Sequence, residues 1–168
     1  MAKKIGLLSD THGYLDPKVF HYFEDCDEIW HAGDIGTLEL LEELEAFKTT
    51  RAVYGNIDGA EIRAAVPENL IWDCEGLIVF MTHIGGYPGR YNARVREILD
   101  RDKPGLYICG HSHILKVMPD KSRALLHINP GAAGKHGFHK VKTLTRFKIA
   151  DGKIEALEVI ELGKRGQL

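Results

Sequence analysis

Five times along the chain a short apolar run gives way to side chains that bind metal ions. In order they are Asp10 and His12; Asp34; Asn56 and Asp58; His83; and His111 and His113. Carboxylate, imidazole and amide oxygen without thiolate are donors suited to divalent first-row transition metals. Taken singly, each piece is weak. An Asp after a strand is most often a turn former or a helix cap, which is the ordinary reading of Asp10, and Gly33-Asp34 and Gly55-Asn56 read as turns. His83 alone reads as a hydrogen-bonded core histidine. Gly110-His111-Ser112-His113 is the least ordinary piece, with two histidines framed by glycine after an apolar run. Turn formation does not predict the histidines, so five such coincidences favour one shared site.

The elements that must gather these residues follow from the hydrophobic pattern. Ile5–Leu8, Glu28–Trp30 and Arg51–Tyr54 read as short strands, separated by two helical stretches. Asp16-Pro17 opens the first helix, with Val19, Phe20 and Phe23 as its apolar face. Thr37 caps the second, whose Leu38, Leu41 and Leu44 recur at helical spacing and read as core. Leu70–Asp73 and Leu77–Met81 flank Glu75-Gly76 as a hairpin. Tyr91, Val95, Ile98 and Leu99 mark a helix that stops before Pro104. Leu106–Cys109 and Leu125–Ile128 are further strands, and Leu144–Ile149 and Ile154–Ile160 form a second hairpin about Asp151-Gly152. Strands alternating with helices argue for parallel pairing early in the chain, and tight turns argue for antiparallel pairing late. Ligands in α/β sheets collect outside the carboxyl ends of the strands, where the five clusters lie.

Composition narrows the function. The 168 residues are 44% hydrophobic, and 22 Lys plus Arg stand against 24 Asp plus Glu for a net charge of −2. That balance excludes intrinsic disorder and a nucleic-acid binder held mainly by the phosphate backbone. Cys26, Cys74 and Cys109 are odd in number and form no C-x-x-C pair, which fits a reducing cytoplasm. Leu77 to Met81 is the longest apolar run, far short of a membrane span.

In this order, Asp10-x-His12, Gly33-Asp34, Gly55-Asn56-x-Asp58, His83 and Gly110-His111-Ser112-His113 resemble the motif set of the calcineurin-like metallophosphoesterases. The small size, Thr82-His83 and Ile128-Asn129-Pro130-Gly131 resemble the compact bacterial and archaeal YfcE-type phosphodiesterase branch, related to the metallophosphoesterase-like subunit of retromer. The resemblance runs from Lys4 to about Ile160. It implies an α/β chain folded as one metallophosphoesterase domain over residues 1–168, a β-sandwich of two mixed sheets flanked by helices. It implies two divalent ions, with Mn²⁺ favoured and Ni²⁺, Fe²⁺, Co²⁺ or Zn²⁺ compatible. Asp10, His12, Asp34 and His113 would hold one; Asp34, Asn56, His83 and His111 would hold the other, with Asp34 bridging. The implied reaction is hydrolysis of a small phosphate diester by a metal-bridging hydroxide. The alternatives are a phosphomonoesterase, or a metal-binding, non-catalytic interaction scaffold like the retromer subunit. No stable nucleic-acid partner and no membrane are expected, and a homodimer is compatible with the sequence.

The chain departs from the family pattern in places. Many relatives carry a His after Gly-Asn that protonates the leaving group; here the position is Ile57, and His127 and His136 are the next candidates for a donor. Ile84-Gly85-Gly86-Tyr87-Pro88-Gly89 replaces a Gly-His and reads as a rim loop, and Ala132 stands where Ser is usual. Asp58 reads either as a residue orienting a ligand or water, or as a turn former. His31 reads as a packed histidine, Trp30 and Trp72 as core or interface rather than a base-stacking platform. Lys135-His136-Gly137-Phe138-His139-Lys140 reads as a solvated basic loop rather than a phosphate receiver.

Overall fold

Residues alternate sides along β1 (Ala2–Leu8), and that alternation divides the molecule into layers. Ile5 and Leu7 enter one core and Leu8 another. The computed structural model describes residues 1–166. Its first sheet contains β1, β2 (Glu28–His31), β3 (Thr49–Ala52), β9 (Val141–Ala150) and β10 (Lys153–Lys164), ordered β10-β9-β1-β2-β3. Its second contains β4 (Asn69–Cys74), β5 (Leu77–Thr82), β6 (Leu106–Ile108), β7 (Lys116–Asp120) and β8 (Leu125–Asn129), ordered β4-β5-β6-β8-β7. Strands β1, β2 and β3 are parallel, as are β5, β6 and β8; the remaining pairings are antiparallel. Both sheets are mixed, as expected.

The layers read off side by side. Ile5, Leu7, Trp30, Val79, Met81, Leu106 and Ile108 fill the space between the sheets. Each such side chain, fully buried, contributes roughly 1.5–3 kcal/mol relative to exposure. Leu8 and Ile29 turn outward onto α1 (Lys18–Tyr22) and α2 (Leu38–Phe47), against Val19, Phe23, Leu41 and Leu44. Phe80 and Tyr107 turn outward from the second sheet onto Val95 and Leu99 of α4 (Ala93–Asp102). Thr37 caps α2 by accepting from the Leu40 N–H at 3.2 Å, as its sequence position predicts. Trp30 is buried and meets Trp72 edge-on at 4.8 Å, so both are core.

Two expected boundaries shift, and two elements are new. Strand β1 begins at Ala2 rather than Ile5, because antiparallel pairing with β9 uses the backbone of Lys3 and Lys4 whatever their side chains. Strand β3 begins two residues earlier than its apolar run, since its ladder partner is Glu28, opposite Thr49. The hydrophobic pattern does not signal α3 (Ala60–Ala65) or β7. The first has six residues, one buried anchor in Ile62 and no capping side chain. The second is an edge strand containing Pro119, mostly exposed, without a period-two apolar face. None of the described helices is long and apolar enough to cross a membrane.

Candidate metal centre

Every predicted site residue lies just past the carboxyl end of a strand. Strand β1 runs into Asp10 and His12, β2 into Asp34, and β3 toward Asn56 and Asp58, all in the first sheet. Strand β5 runs into His83 and β6 into His111 and His113, in the second. Five of these residues leave their strands in the left-handed region: Asp10 (φ 55°), His12 (46°), Asp34 (56°), His111 (73°) and His113 (62°). Such conformations cost of order 1 kcal/mol or more each for residues other than Gly and concentrate at functional sites. Here they turn each side chain over the end of its own strand, toward one point.

Two groups result. Asp10, His12 and His113 form one, and Asp34, His83 and His111 the other; within each group one ligand atom per residue lies within 4.8 Å of the others. The groups touch. Asp34 Oδ2 lies 3.4 Å from His12 Nε2 and 3.1 Å from His83 Nε2. Asp10 Oδ1 lies 3.2 Å from His113 Nε2 and 3.7 Å from His83 Nε2. Asn56 Oδ1 sits 3.1 Å from His111 Nδ1, placing the amide beside the second group.

The surroundings fix these atoms and leave their metal-facing sides bare. His83 Nδ1 bonds the Ala32 carbonyl at 2.7 Å, which leaves the Nε2 lone pair facing the carboxylates. Asp10 Oδ2 accepts from the Ser9 hydroxyl (2.7 Å) and the His111 N–H (3.1 Å), and Asp34 Oδ1 accepts from the Ile57 N–H (3.0 Å). Their other oxygens point inward. Asp10 Oδ1, His12 Nε2 and His83 Nε2 are buried without a hydrogen-bond partner. Orphaned buried polar atoms are costly, and three converging on one point fit a cation. Two glycines permit the approach: a Cβ on Gly55 would overlap Asp34 Oδ1, and one on Gly110 would overlap the Ser9 hydroxyl.

The electrostatics agree. Burial alone would raise Asp10, but the facing imidazoles of His113 and His12 and the charge of His83 hold it well below the usual carboxylate range. Burial likewise opposes, and His12 and His83 outweigh it, at Asp34. The facing carboxylates of Asp10 and Asp34 raise His12 to about 9. At His83, burial is outweighed by Asp34 and Asp10, so its pKa also rises. His111 is pushed down by burial and by neighbouring His83. The two carboxylates thus stay ionised, and protons collect on His12 and His83, where the geometry calls for positive charge. Divalent cations displace such protons when they bind.

Other predicted residues fall into place around this centre. Asp58 accepts three backbone N–H bonds, from Ile35 (3.1 Å), Gly36 (2.9 Å) and Gly55 (2.8 Å), and so ties the loop after β2 to the loop after β3. His31 is fully buried; it takes the Gly33 N–H on Nδ1 and meets the Thr11 hydroxyl at Nε2, and burial drives its pKa to about 4. The packed reading of His31 therefore stands. Asn129 has a role the sequence reading did not assign. Its amide donates to the Gly110 carbonyl (3.1 Å) and the Ser112 hydroxyl (3.0 Å), bracing the turn that carries His111 and His113.

One expectation is corrected and another is qualified. His127 is 1% exposed, bonded to the Tyr107 carbonyl at 3.2 Å and stacked on the Tyr107 ring, with burial pushing its pKa to about 4. A neutral, enclosed ring is not placed to give a proton to a substrate. The 135–140 segment is exposed at His136, Phe138 and Lys140, as a solvated loop is, but it is also tied down. His139 Nε2 bonds the Gly134 carbonyl at 2.7 Å, and Arg165 donates to the His139 carbonyl at 2.8 Å, folding the segment back. As a result His136 stacks on His12 (4.8 Å, 27°) and His139 packs edge-on against His113. The segment forms one wall of a cavity of about 500 Å³ whose floor includes His12, Asp34, Asn56, His111 and His113. The 84–89 segment borders a smaller cavity that shares His111.

Comparison with known proteins points the same way. The family model of the calcineurin-like phosphoesterase superfamily domain matches residues 4–152. A phosphodiesterase of Methanocaldococcus jannaschii is 31% identical, the match covering 76% of this chain and 82% of the relative. Among solved structures, a novel archaeal phosphodiesterase has the same fold, with a TM-score of 0.76 at 23% identity over 95% of this chain and 99% of that one. Vacuolar protein sorting 29 from Cryptosporidium parvum also shares the fold, at TM-score 0.73 and 17% identity over 97% and 99% of the two chains.

Proposed function

Because the chain belongs to the calcineurin-like phosphoesterase superfamily, we propose that it is a metal-dependent phosphodiesterase of the cytoplasm that hydrolyses a small phosphate diester. The observation that carries this reading is the pair of touching ligand groups, Asp10–His12–His113 and Asp34–His83–His111, with three orphaned atoms facing inward. Asp34 Oδ2 reaches both groups and is the natural bridge. Asn56 adds an amide oxygen without adding charge. With two divalent ions held there, the two carboxylates would leave a net positive site for an anionic phosphoryl group. Such ions, with Mn²⁺ favoured, would supply Lewis acidity and acidify a water.

The chain's own residues do the rest. Ser9, the His111 N–H and the Ile57 N–H orient the carboxylates; the Ala32 carbonyl sets the tautomer of His83; Asp58 and Asn129 lock the loops that carry the ligands. Ile57, exposed at the cavity, has no proton to give a departing alkoxide. That favours diesters with good leaving groups over phosphomonoesters, which most need protonation of the leaving oxygen.

A non-catalytic scaffold is the second reading, because the fold is shared with a protein named for sorting. The full set of acidic and imidazole ligands favours the enzyme. The deciding experiment loads the metal-stripped protein with Mn²⁺, counts ions per chain, and assays bis(4-nitrophenyl) phosphate. Two ions and Mn²⁺-dependent hydrolysis support the enzyme; two ions without turnover of any diester support the scaffold.

A further inference from the structure

Resting on that phosphoesterase reading, the geometry points to a substrate with a planar, aromatic ester arm, held between Phe138, Ile57 and Ile114 at the mouth of the 500 Å³ cavity. These three side chains line the same cavity as His12, Asp34 and His113, yet they are 102%, 46% and 62% exposed. A large apolar side chain left in water is ordinary when it stands singly; three around one pocket mouth are a binding feature. They come from three separate segments: the turn after β3, the turn after β6, and the 135–140 segment.

Topology restricts what can sit there. A phosphorus held over the floor must send an ester oxygen out through the mouth, so the attached group passes between these side chains. The cavity is larger than a phosphoryl group alone requires. Ile57 is tied to the floor, because its own N–H donates to Asp34 Oδ1 at 3.0 Å. Its side chain therefore keeps a fixed relation to the reacting centre. The wall also offers flat rings, with Phe138 two residues from His136, which already stacks on His12 at 4.8 Å. The cavity on the other flank of Asn56 and His83 is lined instead by Arg63, Arg94 and Glu68. The cavity beside Ile84 and Tyr87, about 150 Å³, meets the centre only at His111, whereas the 500 Å³ cavity touches both ligand groups. An apolar arm is thereby directed to the Phe138 side, and aromatic groups gain from ring contacts beyond simple burial.

The test uses two inert probes, phenylphosphonate and methylphosphonate, whose carbon–phosphorus bonds the enzyme does not cleave. Binding to the Mn²⁺-loaded protein is measured by titration calorimetry. The unmodified protein should bind phenylphosphonate roughly five- to tenfold more tightly. Phe138→Ser combined with Ile114→Ser should bring the two affinities to within about twofold of each other, the loss falling on the phenyl probe. Both side chains are exposed, so their truncation removes no packed core. Equal affinities in the unmodified protein, a preference that survives the double variant, or no binding of either probe would each overturn the aromatic rim. Hydrolysis of bis(4-nitrophenyl) phosphate, measured on the same samples, reports separately on the phosphodiesterase reading. Turnover without a phenyl preference leaves that reading intact and rejects the rim. A rim-dependent preference without turnover of any ester does the reverse.

Discussion

His83 Nε2 and Asp34 Oδ2 lie 3.1 Å apart, although one follows β5 of the second sheet and the other β2 of the first. The candidate metal centre is therefore a junction between sheets. Asp10 and His113 repeat the relationship across β1 and β6 at 3.2 Å. Whatever binds these atoms clamps the two halves of the sandwich together at one end.

Metal should accordingly stabilise the fold. A ligand that binds only the folded state, present at a hundred times its dissociation constant, contributes about 2.7 kcal/mol. For a chain of this size that corresponds to a rise in Tm of about 5–10 °C per site. Thermal melts of the chelated protein with and without excess Mn²⁺ check it; coincident melts would mean the clamp does not form.

Asp34→Ala should remove activity by at least about a hundredfold and weaken both ions, since its oxygen approaches both groups. Asn56→Ala should weaken mainly the ion next to His83 and His111, because Asn56 touches only that group. Metal analysis across a Mn²⁺ titration distinguishes the two. Identical losses would show the bridge has been misassigned.

Gly55→Ala should be far worse than Gly59→Ala. A Cβ at position 55 runs into Asp34, both its carboxylate and its backbone, whereas one at 59 meets nothing within 4 Å. Overpacking of this kind costs about 1–3 kcal/mol. It should also lower metal occupancy, while Gly59→Ala stays within about 0.5 kcal/mol. Urea denaturation and ion counting on both variants decide the point.

The folded protein should lose stability on acidification partly through His127. Burial holds its pKa at about 4 in the folded state, against an ordinary 6.5 for an exposed imidazole. The folded state then binds fewer protons than the unfolded, so this contribution is present above pH 6.5 and is lost as pH falls through 4. The difference amounts to about 3 kcal/mol when complete. His127→Asn keeps a donor for the Tyr107 carbonyl and removes the titration. Its stability, measured in chelator, should fall less steeply than that of the unmodified protein between pH 7 and 4.5. Parallel curves would sink the assignment.

Ile57 should leave a kinetic signature. With no donor at that position, rates on diesters should rise steeply as the pKa of the leaving group falls. Ile57→His should gain roughly tenfold to a hundredfold on poor leaving groups and almost nothing on nitrophenolate. The side chain is 46% exposed at the cavity, so the exchange disturbs no buried packing. Plots of log kcat/KM against leaving-group pKa, with chemistry rate-limiting, read this directly. A shallow slope in the unmodified protein would identify an existing donor, with His136 the one beside the cavity.

The sequence by itself determined the residue types and most of the scaffold. Leu38, Leu41 and Leu44 at helical spacing, Thr37 before them and Asp151-Gly152 between two apolar runs are local signals, and each produced the expected element. The seven ligand-type residues were legible because each follows a strand, and their order carried the family resemblance. The rest is non-local. Nothing in the pattern around Asp34 or His83 says that their strands lie in different sheets and meet at their ends. Asp and His enter the left-handed region more readily than most residues, but that preference does not say that Asp10, His12, Asp34, His111 and His113 all adopt it. The 135–140 segment shows the same limit, since only its tethering to the rest of the chain is non-local. Its charge and glycine describe a solvated loop, but the bonds from His139 to Gly134 and from Arg165 to His139 fold it over the site. Hydrophobic periodicity records which side chains leave water. It does not record which strand ends face each other, and that is settled by how two twisted sheets pack around Ile5, Trp30, Val79 and Ile108.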